Sequence, residues 1–171
     1  MIGKAMQDAM NEQINKELFS SYLYLSMAAY FEDKNLMGFA HWMRLQADEE
    51  REHGMKFYDF ILDSGGRVLL KAIDGPATDW KSNLVVAEEV AAHEAKVTVS
   101  IHELYELALK EKDYAAQVLL HWFISEQVEE EKNAAELVAK LKLIEERGTA
   151  VLMLDHRLSK RGGGEDDGEE E

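Results

Sequence analysis

The chain has 171 residues, enough for one domain with a substantial buried core, and 46% of them are apolar against 31% charged. A single proline suits an almost wholly helical protein, and the absence of cysteine excludes disulfides, zinc–thiolate sites and iron–sulfur clusters. A formal net charge of −15 argues against nucleic acid, whose phosphates would be repelled. The N-terminal stretch MIGKAMQDAMNEQ lacks the apolar run of a signal peptide, and no segment reaches the roughly eighteen apolar residues of a membrane span. We therefore expect a soluble, cytoplasmic protein with neither a nucleic acid nor a membrane as partner.

The first predicted helix covers Ala5–Asp33 and the second Met37–Ser64, joined by a turn near Asn35. Gly65-Gly66 reads as a helix stop. Arg67–Ser82, with Asp74-Gly75-Pro76 inside it, reads as one long connection. About 16 extended residues span some 50 Å, enough to cross a bundle lengthwise. A loose hairpin loop also fits, and we favour the crossover. The third helix is expected over Asn83–Glu111. Asp113 caps a fourth over Tyr114–Glu146, which stops at Gly148, and Thr149 caps a short fifth through Ser159. Residues 1–160 form one domain on this reading. The tail 161–171 has no apolar residue and is expected to be disordered and solubilising.

Each long helix carries an apolar stripe at alternating spacings of three and four, the pattern of a core-facing surface. Every stripe is broken by a metal-binding type of residue. In the first, Met10, Ile14, Glu17, Ser21, Tyr24 and Ala28 follow one another, and in the second Met43, Gln46, Glu50, His53 and Phe57. Glu94 interrupts Val90 and Val97 in the third helix; Gln127 and Glu130 interrupt Phe123 and Ala134 in the fourth. Ionised carboxylates are too costly to bury unless something compensates their desolvation. Glu17 lies 18 residues before Asn35, while Glu50 and His53 lie 15 and 18 after it. Glu94 lies 18 before Lys112, and Gln127 and Glu130 lie 15 and 18 after that. In each antiparallel pair the polar positions thus meet about 25 Å from the turn, and the two halves look like copies of one arrangement.

Four carboxylates and one imidazole without sulfur suit hard or intermediate cations, and charge balance favours two divalent ions over one. Glu50-x-x-His53 on one face is the bundle motif for a carboxylate-bridged di-iron pair. It is weak alone and strong when paired with Glu17 at matched depth and echoed in the other half. A buried salt-bridged layer is the structural alternative for these acids, but too few cations share their faces to neutralise them. Gln127 reads equally as a satisfied core amide, and Tyr24 as an ordinary core aromatic. Glu49, Glu126 and Glu129 also fit a solvated helix face. His41, His93, His102, His121 and His156 have no evident partners and read as structural or surface residues. Trp42, Trp80 and Trp122 read as packing.

The blocks NEQINKELFSSYLYLSM, DEEREH, HEAKV and WFISEQVEEEK occur in the order and spacing of the ferritins, and over about residues 1–160 the chain resembles the non-haem ferritins of bacteria and archaea. The resemblance implies an all-α, antiparallel four-helix bundle with a long crossover and a short fifth helix. It implies a ferroxidase centre for two irons. Glu17, Glu50 and His53 would hold the first; Glu50, Glu94 and Glu130 the second, with Glu50 bridging and Gln127 beside it. A third iron site at Glu49, Glu126, Glu129 and Glu130 is implied as well, with Tyr24 as an electron donor. The implied reaction oxidises Fe(II) with dioxygen or peroxide and deposits ferric mineral inside a hollow shell of 24 chains. Bacterioferritins and rubrerythrins repeat Glu-x-x-His on the fourth helix, where this chain has Gln127-Val128-Glu129-Glu130. Bacterioferritins bind haem through a methionine before the second-helix histidine; Glu52 stands there, so no haem is expected. The main rival is a non-storing di-iron peroxidase of rubrerythrin type.

Overall fold

The computed structural model describes residues 1–145 and 147–160. Among them the regular structure is entirely helical: α1 (Lys4–Asp33), α2 (Met37–Asp63), α3 (Asn83–Glu111), α4 (Tyr114–Ile144) and α5 (Gly148–Leu158). No described helix is long and apolar enough to cross a membrane. The expected disordered tail, 161–171, lies outside the described residues.

Local chemistry explains most helix ends. Ser82 Oγ accepts the Val85 N–H at 3.2 Å to start α3, and Asp113 Oδ1 accepts the Ala116 N–H at 3.0 Å to start α4. Asn35 takes a left-handed conformation, φ 58°, which its short polar side chain tolerates, and it reverses the chain between α1 and α2. Gly65, φ 73°, ends α2 as a glycine stop should. One expectation is corrected. The fourth helix, expected to reach Glu146, ends at Ile144: Glu145 adopts φ 49° and its N–H returns to the Leu141 carbonyl. Gly148 is instead the first residue of α5, and Arg147, not Thr149, precedes that helix as its cap position.

Helices α1 and α2 pack as one antiparallel pair, α3 and α4 as another. The connection between the pairs is a crossover, not a hairpin loop. It leaves the end of α2 with Asn11 donating to the Arg67 carbonyl at 3.1 Å and accepting the Leu69 N–H at 2.7 Å. It then pairs Lys71 with Glu12, offers the Ala77 carbonyl to Ser26 at 2.6 Å, and ends with Tyr30 donating to the Trp80 carbonyl at 3.0 Å. From Asn11 to Tyr30 the segment follows α1 for about 28 Å, so α3 starts at the Asn35 end and runs parallel to α2 and antiparallel to α1.

The core falls into two apolar masses. Tyr24, Met27, Phe31, Phe39, Met43 and Leu141 belong to the one nearer Asn35 and α5. Met6, Met10, Phe57, Ile101, Leu120 and Phe123 belong to the one nearer the N-terminus and the α3–α4 turn. Between them lie Glu17, Gln46, Glu50, His53, Glu94, Gln127 and Glu130, all buried. The polar interruptions of the four stripes form one layer across the bundle.

Candidate metal centre

Glu17 on α1 and Glu50 and His53 on α2 each aim a ligand atom at one point: the three atoms lie within 4.8 Å of one another. Glu17 and Glu50 are completely buried, and His53 nearly so. His53 Nδ1 faces Glu50 Oε2 at 3.8 Å, while its Nε2 faces Glu126 Oε1 at 3.9 Å. The imidazole is held edge-on by Trp122 and Phe123, with ring centroids at 5.4 and 5.9 Å. Helical spacing accounts for the pairing, since residues three apart share a face.

Glu94 and Glu130 flank this group from the other helix pair. Tyr24 donates its phenol proton to Glu94 Oε1, and the Gln127 amide donates to Glu94 Oε2 at 3.1 Å. Gln46 of α2 donates to Glu130 Oε2 at 2.9 Å. The structure therefore gathers every residue of the expected pair of metal sites into one layer, with Gln127 against Glu94 and Tyr24 against the same carboxylate. The residues expected at a third site are more dispersed. Glu126 is half-buried beside His53, Glu49 is half-buried, and Glu129 is exposed.

The electrostatics of the layer are those of too many carboxylates in too little water. Burial, and then the charge of Glu50, push the Glu17 carboxyl far above its ordinary value. Burial and the charges of Glu94, Glu130 and Glu49 do the same to Glu50. Glu94 is raised by burial against the opposing hydrogen bonds of Tyr24 and Gln127. Glu130 is pushed up to about 7 by burial, then by Glu94 and Glu49. No N–H or hydroxyl reaches Glu17 Oε2 or either oxygen of Glu50. In the cation-free protein the relief available is a proton shared between the two carboxyls, with Glu17 as acid and Glu50 as acceptor. A divalent cation would replace it, satisfying all three bare oxygens together.

A stability measurement tests this reading. A carboxyl at about 7 in the fold, against an ordinary 4.5, binds an extra proton between those values, so Glu130 makes stability fall as pH rises through them. Glu17, Glu50 and Glu94, also raised, act with the same sign. His93 opposes them. Burial lowers it from 6.5 to about 4, so the fold binds fewer protons between those values and stability there rises with pH. Above about pH 6.5 only the carboxyls remain. The cation-free protein should lose several degrees in Tm between roughly pH 6.5 and 8, and saturating Zn(II) should remove the dependence by displacing the protons. A Tm of the cation-free protein that rises over this window in calorimetry would contradict the assignment.

Several contributors carried no signal of their own in the sequence. Gln13 donates to Glu17 Oε1 at 2.8 Å, and Gln46, on the second stripe, proves to serve Glu130 across the bundle. His93, expected without a partner, lies 2.7 Å from Ser20 Oγ and edge-on to Tyr24. Trp122 does pack, but against His53, and the Lys56 ammonium sits 4.4 Å from its ring centre. A repeated Gln-x-x-x-Glu spacing at Gln13/Glu17 and Gln46/Glu50 was the one available clue to the glutamines.

Residues 7–144 match the Ferritin-like domain family. The bacterial non-heme ferritin of Bacteroides fragilis is 42% identical over 161 residues, covering 94% of this chain and 100% of that protein. That of Staphylococcus saprophyticus is 39% identical, covering 94% and 96%. Crystal structures of an open pore ferritin from the hyperthermophilic archaeon Archaeoglobus fulgidus align with TM-score 0.93 and 50% identity, covering 94% of this chain and 99% of that one. With its carboxylate layer, helix order and crossover, the chain belongs to the ferritin family, alongside the non-haem ferritins of bacteria and archaea.

Proposed function

We propose that the protein stores and detoxifies iron in the cytoplasm, oxidising Fe(II) to Fe(III) with dioxygen or peroxide at the buried layer and depositing ferric mineral inside a shell of its own copies. The observation that carries this reading is the convergence of Glu17, Glu50 and His53 with three carboxylate oxygens that meet no donor. Iron is the substrate. Glu17, Glu50 and His53 take one ion; Glu94 and Glu130 take a second, with Glu50 between them. Oxygen-rich ligands with one imidazole accept both Fe(II) and Fe(III). Gln127 steadies Glu94 beside the second ion. Glu49, Glu126 and Glu129, with Glu130, make up a third, more exposed site beside the pair.

Tyr24 is placed to give an electron. Its phenol is buried, and burial and the Glu94 charge push its pKa well above the ordinary range, so it remains protonated. Oxidation then requires the proton to leave with the electron, and Glu94, already accepting that hydrogen bond, takes it. The pair of Fe(II) alone supplies two electrons, which reduce dioxygen to hydrogen peroxide with two protons from the medium. When a third Fe(II) and Tyr24 each add one electron, the four electrons reduce dioxygen to two waters with four protons, one of them from Tyr24.

The test is aerobic titration of the cation-free protein with Fe(II), following ferric absorbance and particle size. Rapid oxidation of about two or three irons per chain, followed by much larger loading in a particle of about 24 subunits, is expected. Saturation at two irons in a dimer would replace storage with the rubrerythrin-type reading.

A further inference from the structure

The carboxylates of the layer are not equally free, and the difference is imposed from outside it. Glu17 accepts on Oε1 from the Gln13 amide at 2.8 Å, while its Oε2 is buried and meets no donor. Gln13 stands one turn earlier on α1 and is itself buried. A buried primary amide has two ends of nearly equal shape, one donating and one accepting, and only the donating end can serve an ionised carboxylate. Ser100 of α3 determines which end faces Glu17. Its hydroxyl lies 2.8 Å from Gln13 Oε1, a contact that requires the serine proton because the amide oxygen carries none. The same hydroxyl lies 3.0 Å from the Val97 carbonyl, the longer of its two options. With the oxygen end of Gln13 engaged by α3, its NH2 group must point at Glu17. Gln46 and Gln127 hold Glu130 and Glu94 in a comparable way, whereas no amide reaches Glu50.

We propose that Gln13, oriented by Ser100, is a positioning residue that makes Glu17 a one-oxygen ligand: Oε1 is held by the amide and Oε2 alone is presented to a divalent cation. The proposal rests on the assignment of Glu17, Glu50 and His53 as a cation site. Its physical content is preorganisation. A carboxylate pinned at one oxygen does not close on the ion with both, so the first ion is placed by α1 and α3 and the free carboxylate of Glu50 remains available to bridge.

Anaerobic titration of the assembled, cation-free protein with Co(II) tests this without turnover, because the visible d–d bands of Co(II) report coordination number and geometry. Gln13→Leu is expected to weaken the tightest Co(II) site by about tenfold or more and to alter its bands as Glu17 engages through both oxygens. Ser100→Ala, which keeps the amide but releases its oxygen end, should shift both in the same direction by less. Ser100→Thr keeps the hydroxyl and should restore wild-type behaviour; its extra methyl has room because Ser100 borders two successive open grooves along the α1–α3 seam. Wild-type affinity and bands in Gln13→Leu would overturn the proposal. Should that variant fail to assemble, unchanged bands in Ser100→Ala would overturn it instead. If Glu17→Ala leaves the tightest Co(II) site of the wild type intact, the cation-site assignment itself fails and the proposal falls with it.

Discussion

Glu50→Gln is expected to slow Fe(II) oxidation by on the order of a hundredfold or more while raising the melting temperature of the cation-free protein. The loss follows from the position of Glu50. It faces Glu17 and His53 on one side, and burial, with the charges of Glu94 and Glu130 on the other side, raises its carboxyl well above the ordinary range. On the proposed assignment it is the carboxylate that bridges the two ions, and neither of its oxygens is committed to a protein donor. An amide keeps the size but cannot bridge two cations. The gain in stability follows from the same facts. The substitution removes a buried acid from a cluster of acids and supplies an N–H where Glu17 Oε2 has no donor. A new buried hydrogen bond contributes about 1 kcal/mol, or roughly 2–4 °C in a chain of this size. Opposite signs for activity and stability distinguish a functional site from a structural layer, where the two would fall together. Stopped-flow oxidation and calorimetry on one preparation decide the matter; wild-type oxidation or a lowered melting temperature would remove Glu50 from the bridging role.

How much of this was legible beforehand depended on distance along the chain. Glu17, Glu50, His53, Glu94 and Glu130 stood out because a carboxylate on an apolar stripe is anomalous by local pattern alone, and counting from Asn35 and Lys112 set them at one depth. The crossover was legible as a reach of extended chain, but the hairpin alternative was excluded only by hydrogen bonds to α1 at Asn11, Ser26 and Tyr30. Contacts that complete the site have no local pattern. Ser20 with His93 spans 73 positions, and Ser100 with Gln13 spans 87. A serine on a helix looks the same whether it faces solvent or a partner amide. The end of α4 was misplaced for a related reason. Glycine is the residue expected to leave a helix in the left-handed conformation, yet Glu145 does so at a cost of roughly 1–2 kcal/mol. The packing of α5 against α2 lies beyond any windowed reading of Gly148.

That packing leads to the second large effect, at Gly38. Helix α2 begins at Met37 after Leu36, which has no side chain able to cap it. The cap comes from α5 instead: Asp155 Oδ1 accepts the Phe39 N–H at 2.9 Å, across 116 positions of sequence. The approach is so close that a Cβ on Gly38 would lie 1.7 Å from the Asp155 carbonyl oxygen and 2.5 Å from its carbonyl carbon. Both are backbone atoms of a helix, so no side-chain rotation relieves the overlap and α5 as a whole must move. Gly38→Ala should therefore undock α5. That sacrifices a cap of about 1 kcal/mol and the burial of Val151 and Leu154, about 1.5–3 kcal/mol each. The four long helices should survive, because the apolar mass around Phe57 and Phe123 includes no residue of α5. Gly38 also lies 12 residues before Glu50, about 18 Å along α2, so Co(II) should bind at the centre as in the wild type. Hydrogen exchange is the measurement: rapid exchange confined to α5 and the first turn of α2, with Co(II) binding kept, is the expected result. Wild-type protection of α5 in Gly38→Ala would mean that the helix can shift within its seat, and that Asp155 does not fix the start of α2.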